Sequence, residues 1–302
     1  MKNSIKINKF SDLTTVLIVT INGLVSMKTI KSLYSYYKII IVENNNDKIL
    51  RKKLEKKFKK INFINTKNNL GFSGGNNCGL IKIKTPYVLL LGPDAEISKI
   101  NLDKFENYSK KIKNFSILTA NIENFDAMMN TRLDKVAMFK KFRLSNKEIQ
   151  EIPWVPEWCM FCKMNDLKKI NYFDDSYFLY FEGLDLCKRL KKINKTFYLL
   201  KNIYVKHQFA GTSKNLSEHK RLDHWKFRFW HFYWSSFYYH RKHYGYIRSF
   251  LIHITKLFRF FFKKNYLYFF GKNEYDYITT KAKFDGILSQ VFNKKSHLRI
   301  KL

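Results

Sequence analysis

Acidic residues are scarce in this 302-residue chain: 24 Asp plus Glu stand against 57 Lys plus Arg, a formal net charge of +33. Such a field sets aside basic partners and attracts polyanions: nucleic acid, an anionic membrane surface or phosphorylated substrates. Part of the excess is compositional, because Lys, Asn and Ile dominate throughout, as in a protein from an AT-rich genome. The basic residues are nonetheless densest, and mixed with aromatics, in the C-terminal third. Cysteine is also sparse. Cys159 and Cys162 form C-x-x-C, but no second pair follows at a zinc-site spacing, so Cys78, Cys159, Cys162 and Cys187 read as core thiols of a reducing compartment. No run of 18 uncharged apolar residues occurs, which predicts no spanning helix, and no apolar stretch follows the first charges, which predicts no secretory signal. No internal repeat is present. A functional site is therefore expected to face the cytoplasm.

What is present is a strand–helix alternation. Thr15–Ile21 and Lys38–Val42 are β-branched runs suited to strands buried on both faces, and Ile61–Asn65 and Tyr87–Leu91 continue the series. Helix candidates separate them: Ser26–Tyr37, Lys48–Lys59, and a segment running from a Gly-rich turn to Ile83. Short connections between such units imply a parallel, doubly wound α/β sheet. Further on, strands are expected at Phe115–Asn121, Trp154–Lys163, Thr196–Leu200 and Ile203–Val205, and helices at Asn165–Ile170 and Gly183–Ile193. From about His219 the character changes to helical patterns loaded with Trp, Phe, Tyr, Arg, Lys and His, at His224–Tyr244 and Arg248–Lys264. The expected division is a catalytic domain over 1–218 and a helical, membrane-associating region over 219–302.

Ligands of doubly wound sheets sit at the carboxyl ends of the strands. Asn22, Glu43, the Gly71–Asn77 turn and Asp94 all fall at such ends. The turn opens a helix, and its glycines and free N–H groups favour an anion, which makes Gly71, Gly74 and Asn76 candidates for holding a diphosphate. It has neither the Lys-Ser/Thr ending of a P-loop nor the G-x-G-x-x-G spacing. Asp94-Ala95-Glu96 is a D-x-E whose carboxylates suit a hard divalent cation, or equally a surface turn. Glu182 and Asp185 stand three residues apart at a helix start, where one could act as general base or both could compensate the helix dipole. His207 follows a short strand, as a further metal ligand or a structural histidine.

The order NLGFSGGNN, LLLGPDAE, FDDSYFLYFEGLDLCKR and VKHQFAGTS resembles the family 2 inverting glycosyltransferases over roughly residues 14–245, most closely their bacterial rhamnosyltransferase-like branch. The resemblance implies a GT-A fold: a Rossmann-like, mostly parallel central sheet flanked by helices, here with a basic-aromatic helical extension. It implies a nucleotide-diphosphate sugar donor, rhamnose among the sugars, a Mg²⁺ or Mn²⁺ cofactor, and inversion by direct displacement. By position, Thr20 and Asn22 would line the nucleotide pocket, and Glu43 would contact the base where the family usually has Asp. Asp94, with Glu96 and His207, would hold metal and diphosphate, and Glu182 and Asp185 would lie on the acceptor side. Four further positions depart from the family pattern. Gly92 replaces an Asn, Glu157-Trp158 replaces a small Gly-Ala pair, and Gly183 stands where the acid proposed as catalytic base is common. Glu182 or Asp185 would then serve as base. The alternative is a catalytically degenerate sugar-nucleotide-binding or scaffold protein at the membrane.

The stretch HWKFRFWHFYWSSFYYHRKHYGYIRSFLIHITKLFRFFFKKNYLYFFG suits a membrane interface, with aromatic bodies inserted and cationic ends at headgroups. A surface-polysaccharide or lipid-linked glycan acceptor, at the cytoplasmic face of the plasma (inner) membrane, fits a peripheral protein of this kind. No recognised nucleic-acid module accompanies the stretch, so no specific nucleic-acid partner is expected.

Overall fold

In the computed structural model the described residues are 11–21, 23, 25–45, 49–122, 145–207, 218–271 and 273–299, and every structural statement here refers to them. They fall into two compact units. The first comprises 11–70, 74–173 and 186–207; the second comprises 71–73, 174–185 and 218–299.

The first unit is built on an eight-stranded sheet. Its strands are β1 (Thr14–Thr20), β2 (Lys38–Glu43), β3 (Asn62–Asn65), β4 (Tyr87–Leu91), β6 (Ile117–Asn121), β7 (Ile149–Glu151), β8 (Cys159–Lys163) and β9 (Phe197–Tyr204), in the order β3-β2-β1-β4-β8-β6-β9-β7. The first four are mutually parallel, β8 runs antiparallel between β4 and β6, β9 is parallel to β6, and β7 is antiparallel at the edge. The central strands are apolar on both faces, as a layered α/β arrangement demands: Val16, Leu17, Ile41, Val42, Val88 and Leu89 have no exposed surface. Helices α1 (Met27–Leu33), α2 (Ile49–Glu55), α3 (Gly71–Leu80), α4 (Lys99–Lys111), α5 (Met164–Lys169) and α6 (Glu182–Lys192) connect the strands. A short ladder of β5 (Ala95–Glu96) against β10 (Lys206–His207) completes this part. The mostly parallel sheet with flanking helices is the expected GT-A architecture.

Several boundaries differ from the sequence expectation for physical reasons. The strand expected from Trp154 begins only at Cys159, because Pro153 and Pro156 cannot donate to a ladder. Thr196–Leu200 and Ile203–Val205 are one strand, β9, carrying a register shift where Asn121 pairs with Tyr204 rather than with the next residue. The Gly-rich segment is not a turn ahead of a helix; it forms the first turns of α3 itself. Cys159 and Cys162 point to opposite faces of β8, yet both are buried, because β8 lies between two strands and under two layers. All four cysteines are free thiols. Burial pushes the Cys159 and Cys187 thiols up to about 12, so both stay protonated and inert.

The second unit is helical: α7 (Glu218–Tyr244), α8 (Tyr246–Phe270) and α9 (Glu274–Val291). Two apolar clusters hold it, one of Trp230, Trp234 and Ala282, the other of Phe237, Phe260 and Ile287. The segment 174–185 belongs to this unit. Ser235 Oγ donates to the Leu179 carbonyl at 2.9 Å, and Tyr238 Oη to Asp174 Oδ2 at 3.1 Å. Among the described residues no helix is long and apolar enough to cross a membrane.

Candidate active site

In the first unit the carboxyl edge of the sheet gathers several of the sequence candidates. Thr20 is in register with Glu43, and Glu43 with Asn65, so three strand ends meet side by side. Thr20 and Glu43 are both buried. Asn44 continues this edge: its amide accepts from the Leu70 N–H at 3.0 Å and from Thr66 Oγ1 at 3.2 Å, which fixes the approach to α3. Asn76 is buried in α3, and its neighbour Asn77 exchanges two hydrogen bonds with the Phe173 backbone, at 2.9 and 3.1 Å. Gly74 lies one turn after Leu70, whose side chain occupies the space a Cβ at 74 would need. Asn22 lies outside the described residues.

Asp94 sits in the turn after β4, and the backbone on both sides of it is pinned. The Pro93 carbonyl accepts from the Ser26 N–H at 2.9 Å, the Ala95 carbonyl from Thr29 Oγ1 at 3.1 Å, and the Gly92 N–H donates to the Trp158 carbonyl at 2.9 Å. Ser26 is also the side-chain cap of α1, so the same turn of helix that begins α1 locks the Asp94 loop. Antiparallel pairing of β5 with β10 sets His207 opposite Ala95 and brings its Nε2 to 3.2 Å from Asp94 Oδ1. Both side chains keep some exposure, 19% for Asp94 and 15% for His207. A Cβ at position 92 would lie 3.3 Å from Asp94 Oδ1 and 3.5 Å from the Trp158 carbonyl, so glycine at this position keeps the carboxylate uncrowded. The Trp158 ring stands 6.1 Å from that of His207, which places the large residue of the Glu157-Trp158 pair beside the acid–imidazole pair.

Glu96 is oriented differently from Asp94. Its Oε2 faces Lys28 Nζ at 3.6 Å, a pair whose lysine is largely solvent-exposed. Among the described residues no group of three or more His, Cys, Asp or Glu side chains is gathered as a metal cage. The donors that converge are thus Asp94 and His207, one hard oxygen and one imidazole. They fit Mg²⁺ or Mn²⁺, which commonly takes one or two protein ligands and fills its shell with water and substrate phosphate oxygens.

The second unit contains the two acids of the FEGLD segment. Tyr180 and Phe181 precede them with left-handed backbone, φ 71° and 68°. For non-glycine residues this costs on the order of 1–3 kcal/mol each and persists only where surrounding structure enforces it. The enforcement comes from α7: Arg228 Nε donates to Tyr180 Oη at 2.6 Å, and the Phe181 ring packs on Phe232 and Tyr239 at 5.4 and 5.6 Å. Gly71 contributes from the other side. With φ +72° and a hypothetical Cβ only 2.3 Å from the Phe178 carbonyl, no side chain fits there, and the Phe72 N–H reaches that same carbonyl at 2.8 Å. Gly71 thus allows close contact with this loop, a demand separate from the phosphate cradle read from the sequence.

The two acids then part ways. Glu182 opens α6 and is buried to 4% exposure. Asp185 has no exposed surface, and its Oδ1 is bound by Lys242 Nζ at 2.6 Å and His243 Nε2 at 2.9 Å. Lys242 also bridges to Asp174 Oδ2 at 2.7 Å. Burial alone would raise the Asp174 carboxyl, but hydrogen bonds from Lys242 and the Ser176 amide outweigh it and hold it below its usual range. With its carboxylate shut off from solvent and bound by both Lys242 and His243, Asp185 ties the start of α6 to α7, whereas the sequence left it open as a base. Its partners lie 57 and 58 residues away, on a helix that reads from sequence as a membrane element.

A cavity of about 520 Å³ also lies in the second unit, lined by Trp230, Tyr277, Asp285, Phe292 and His297 among others. None of the sequence-derived site residues borders it.

A mostly parallel sheet with acids and amides at its carboxyl edge, and an Asp on the loop after the fourth strand faced by a His from β10, is the arrangement expected of a family 2 glycosyltransferase. Residues 15–170, just over half of the chain, match the family model Glycosyl transferase family 2, and the chain belongs to that family. Curated relatives include the low-salt glycan biosynthesis hexosyltransferase Agl10 of Haloferax volcanii, 25% identical over 56% of this chain and 59% of the relative. The rhamnosyltransferase WbbL of Escherichia coli is 27% identical over 51% of this chain and 66% of the relative. The chain thus spans about six-tenths of the length of these relatives. A crystal structure of GalNAc-T7 with UDP, GalNAc and Mn²⁺ superposes with a TM-score of 0.51 at 12% identity, covering 94% of this chain and 55% of that one, a likeness of fold.

Proposed function

We propose that the protein is an inverting glycosyltransferase that moves a sugar, with rhamnose among the candidates, from a nucleotide-diphosphate donor to a hydroxyl of a surface-polysaccharide or lipid-linked glycan. The observation that carries this reading is the Asp94–His207 pair, held rigidly at the carboxyl end of the sheet in a family 2 chain. Asp94 and His207 would hold the divalent cation, and the buried edge of Thr20 and Glu43 would receive the nucleoside. When bound, the cation offsets charge on the departing diphosphate. On the acceptor side, Glu182 takes the proton of the attacking hydroxyl. The new bond forms from that oxygen to the anomeric carbon as the bond to the diphosphate oxygen breaks on the opposite face, and the nucleoside diphosphate leaves with the bonding pair. Asp185, bound to Lys242 and His243, positions the start of α6 and so the Glu182 backbone. We place the protein as a peripheral one at the cytoplasmic face of the plasma membrane.

The second reading, a sugar-nucleotide-binding or scaffold protein without turnover, is favoured by one observation: Gly183 stands between an acid that is tied up and an acid that is almost fully buried. A panel of nucleotide-diphosphate sugars, read out as released nucleoside diphosphate, separates the two. Release with at least one donor supports the transferase. Nucleotide binding by calorimetry with no release across the panel selects the scaffold.

A further inference from the structure

Helix α8 has two apolar faces. At about 100° per residue, Ser249, His253 and Phe260 form a buried face, with Phe250 and Leu257 packed beside the Phe237–Phe260–Ile287 cluster. Ile247, Leu251, Phe258, Phe262 and Phe269 fall within a sector of about 60° on the opposite side, and each is between 57% and 76% exposed. At about 1.5 Å per residue this stripe runs some 33 Å along the helix. A single exposed leucine is ordinary, whereas an apolar stripe of this length, broken within its sector by Asn265, marks an interaction surface. The helix carries no acidic residue, and exposed Arg248, Arg259 and Lys263 border one side of the stripe. A second copy of the chain is a poor occupant, since apposing the stripes would bring these cations together on chains of net charge +33. An anionic surface complements both the apolar stripe and its basic border. A span is excluded for this helix by its charges.

We propose that α8 lies in the plane of an anionic lipid bilayer surface. The five stripe residues insert among the acyl chains, and Arg248, Arg259 and Lys263 sit at the headgroup phosphates. This deepens the peripheral placement proposed above by naming the face that docks, and its test requires no sugar transfer. The full chain is sedimented with mixed phosphatidylcholine–phosphatidylglycerol vesicles and with pure phosphatidylcholine vesicles. Wild type is expected to bind the mixed vesicles preferentially. Phe258→Glu/Phe262→Glu is expected to lower the partition coefficient by at least about tenfold, with unchanged thermal melting because both positions face solvent. Phe262→Ser/Phe269→Ser removes apolar area without adding charge and is expected to act in the same direction. Arg259→Glu/Lys263→Glu should weaken binding and flatten its salt dependence. The proposal is overturned if wild type ignores phosphatidylglycerol, or if the stripe variants bind like wild type. It is equally overturned if they split a dimer, seen by light scattering, at unchanged vesicle binding. Donor turnover measured without vesicles on the same variants keeps this outcome separate from that of the transferase reading.

Discussion

Replacing Asp185 by Asn tests whether that carboxylate is a tether or a base. The side chain has no exposed surface and is bound by Lys242 at 2.6 Å and His243 at 2.9 Å, so neutralising it takes the charge from a buried acceptor and leaves the partly exposed Lys242 without that counter-charge. Removing one partner of a buried pair costs about 3–5 kcal/mol, and Lys242 keeps Asp174, which places the cost near the lower end, ~3 kcal/mol. At about 2–4 °C per kcal/mol for a chain of this size class, melting should fall on the order of 10 °C. Scanning calorimetry on Asp185→Asn, Lys242→Met and the double variant measures this, and the double variant should cost less than the two single changes summed. Turnover by folded Asp185→Asn at low temperature should remain measurable, since the variant moves a support rather than the proton acceptor. The reasoning is refuted if melting shifts by no more than about 2 °C while turnover by folded protein disappears. That pairing would make Asp185 the base.

Glu182→Gln should show the converse: turnover reduced by roughly 10²–10⁴ with melting unchanged, as expected for loss of a general base, checked by donor consumption beside a melting curve. Gly71→Ala should lower melting and destabilise the Tyr180–Phe181 loop, because the new Cβ meets the Phe178 carbonyl and the left-handed backbone is lost to alanine; limited proteolysis with mass mapping locates the cut. His231 and His253 are buried neutral, each hydrogen-bonded to a backbone carbonyl and a serine hydroxyl, and burial lowers both to about 3 from 6.5. The unfolded chain therefore takes up these protons first, so their contribution is intact above about pH 6.5 and is lost as the pH falls toward 3. At pH 5 each should subtract about 2 kcal/mol, seen as a urea midpoint that drops between pH 7 and 5, with a shallower drop in His253→Gln.

The parallel core was legible because its signal is local. Four short apolar runs separated by helical stretches leave little choice of layer arrangement, and Thr15–Ile21 and Tyr87–Leu91 fall within a residue of the observed strands. The loop after β4 was legible for the same reason, since a strand end is a place that sequence can name. What sequence did not carry were relations between distant segments. The two-residue ladder that turns His207 toward Asp94 is too short to leave a pattern. Asp103 and Phe105 belong to α4, whose Lys- and Asn-rich composition carries a weak apolar stripe, and the helix was not anticipated. Helix α9 mixes Thr, Gly and charged residues around its circumference and shows no clean face, so it too was missed. Lys242 and His243 could not be assigned to Asp185, because an amphipathic helix rich in Arg, Tyr and Phe has the same composition whether its partner is a lipid surface or a loop. Gly71 meets a further demand that the sequence did not show, its close approach to the Phe178 carbonyl, a contact more than a hundred residues downstream.

The central claim is that Asp94 anchors the donor diphosphate in a working transferase. It is tested most directly by nucleoside diphosphate release from a nucleotide sugar, measured with Mn²⁺ for wild type and Asp94→Ala at matched melting temperature. The account predicts release by wild type and a loss of at least about a hundredfold in Asp94→Ala, equivalent to roughly 2.7 kcal/mol of transition-state stabilisation. Undiminished release by the folded variant would contradict it.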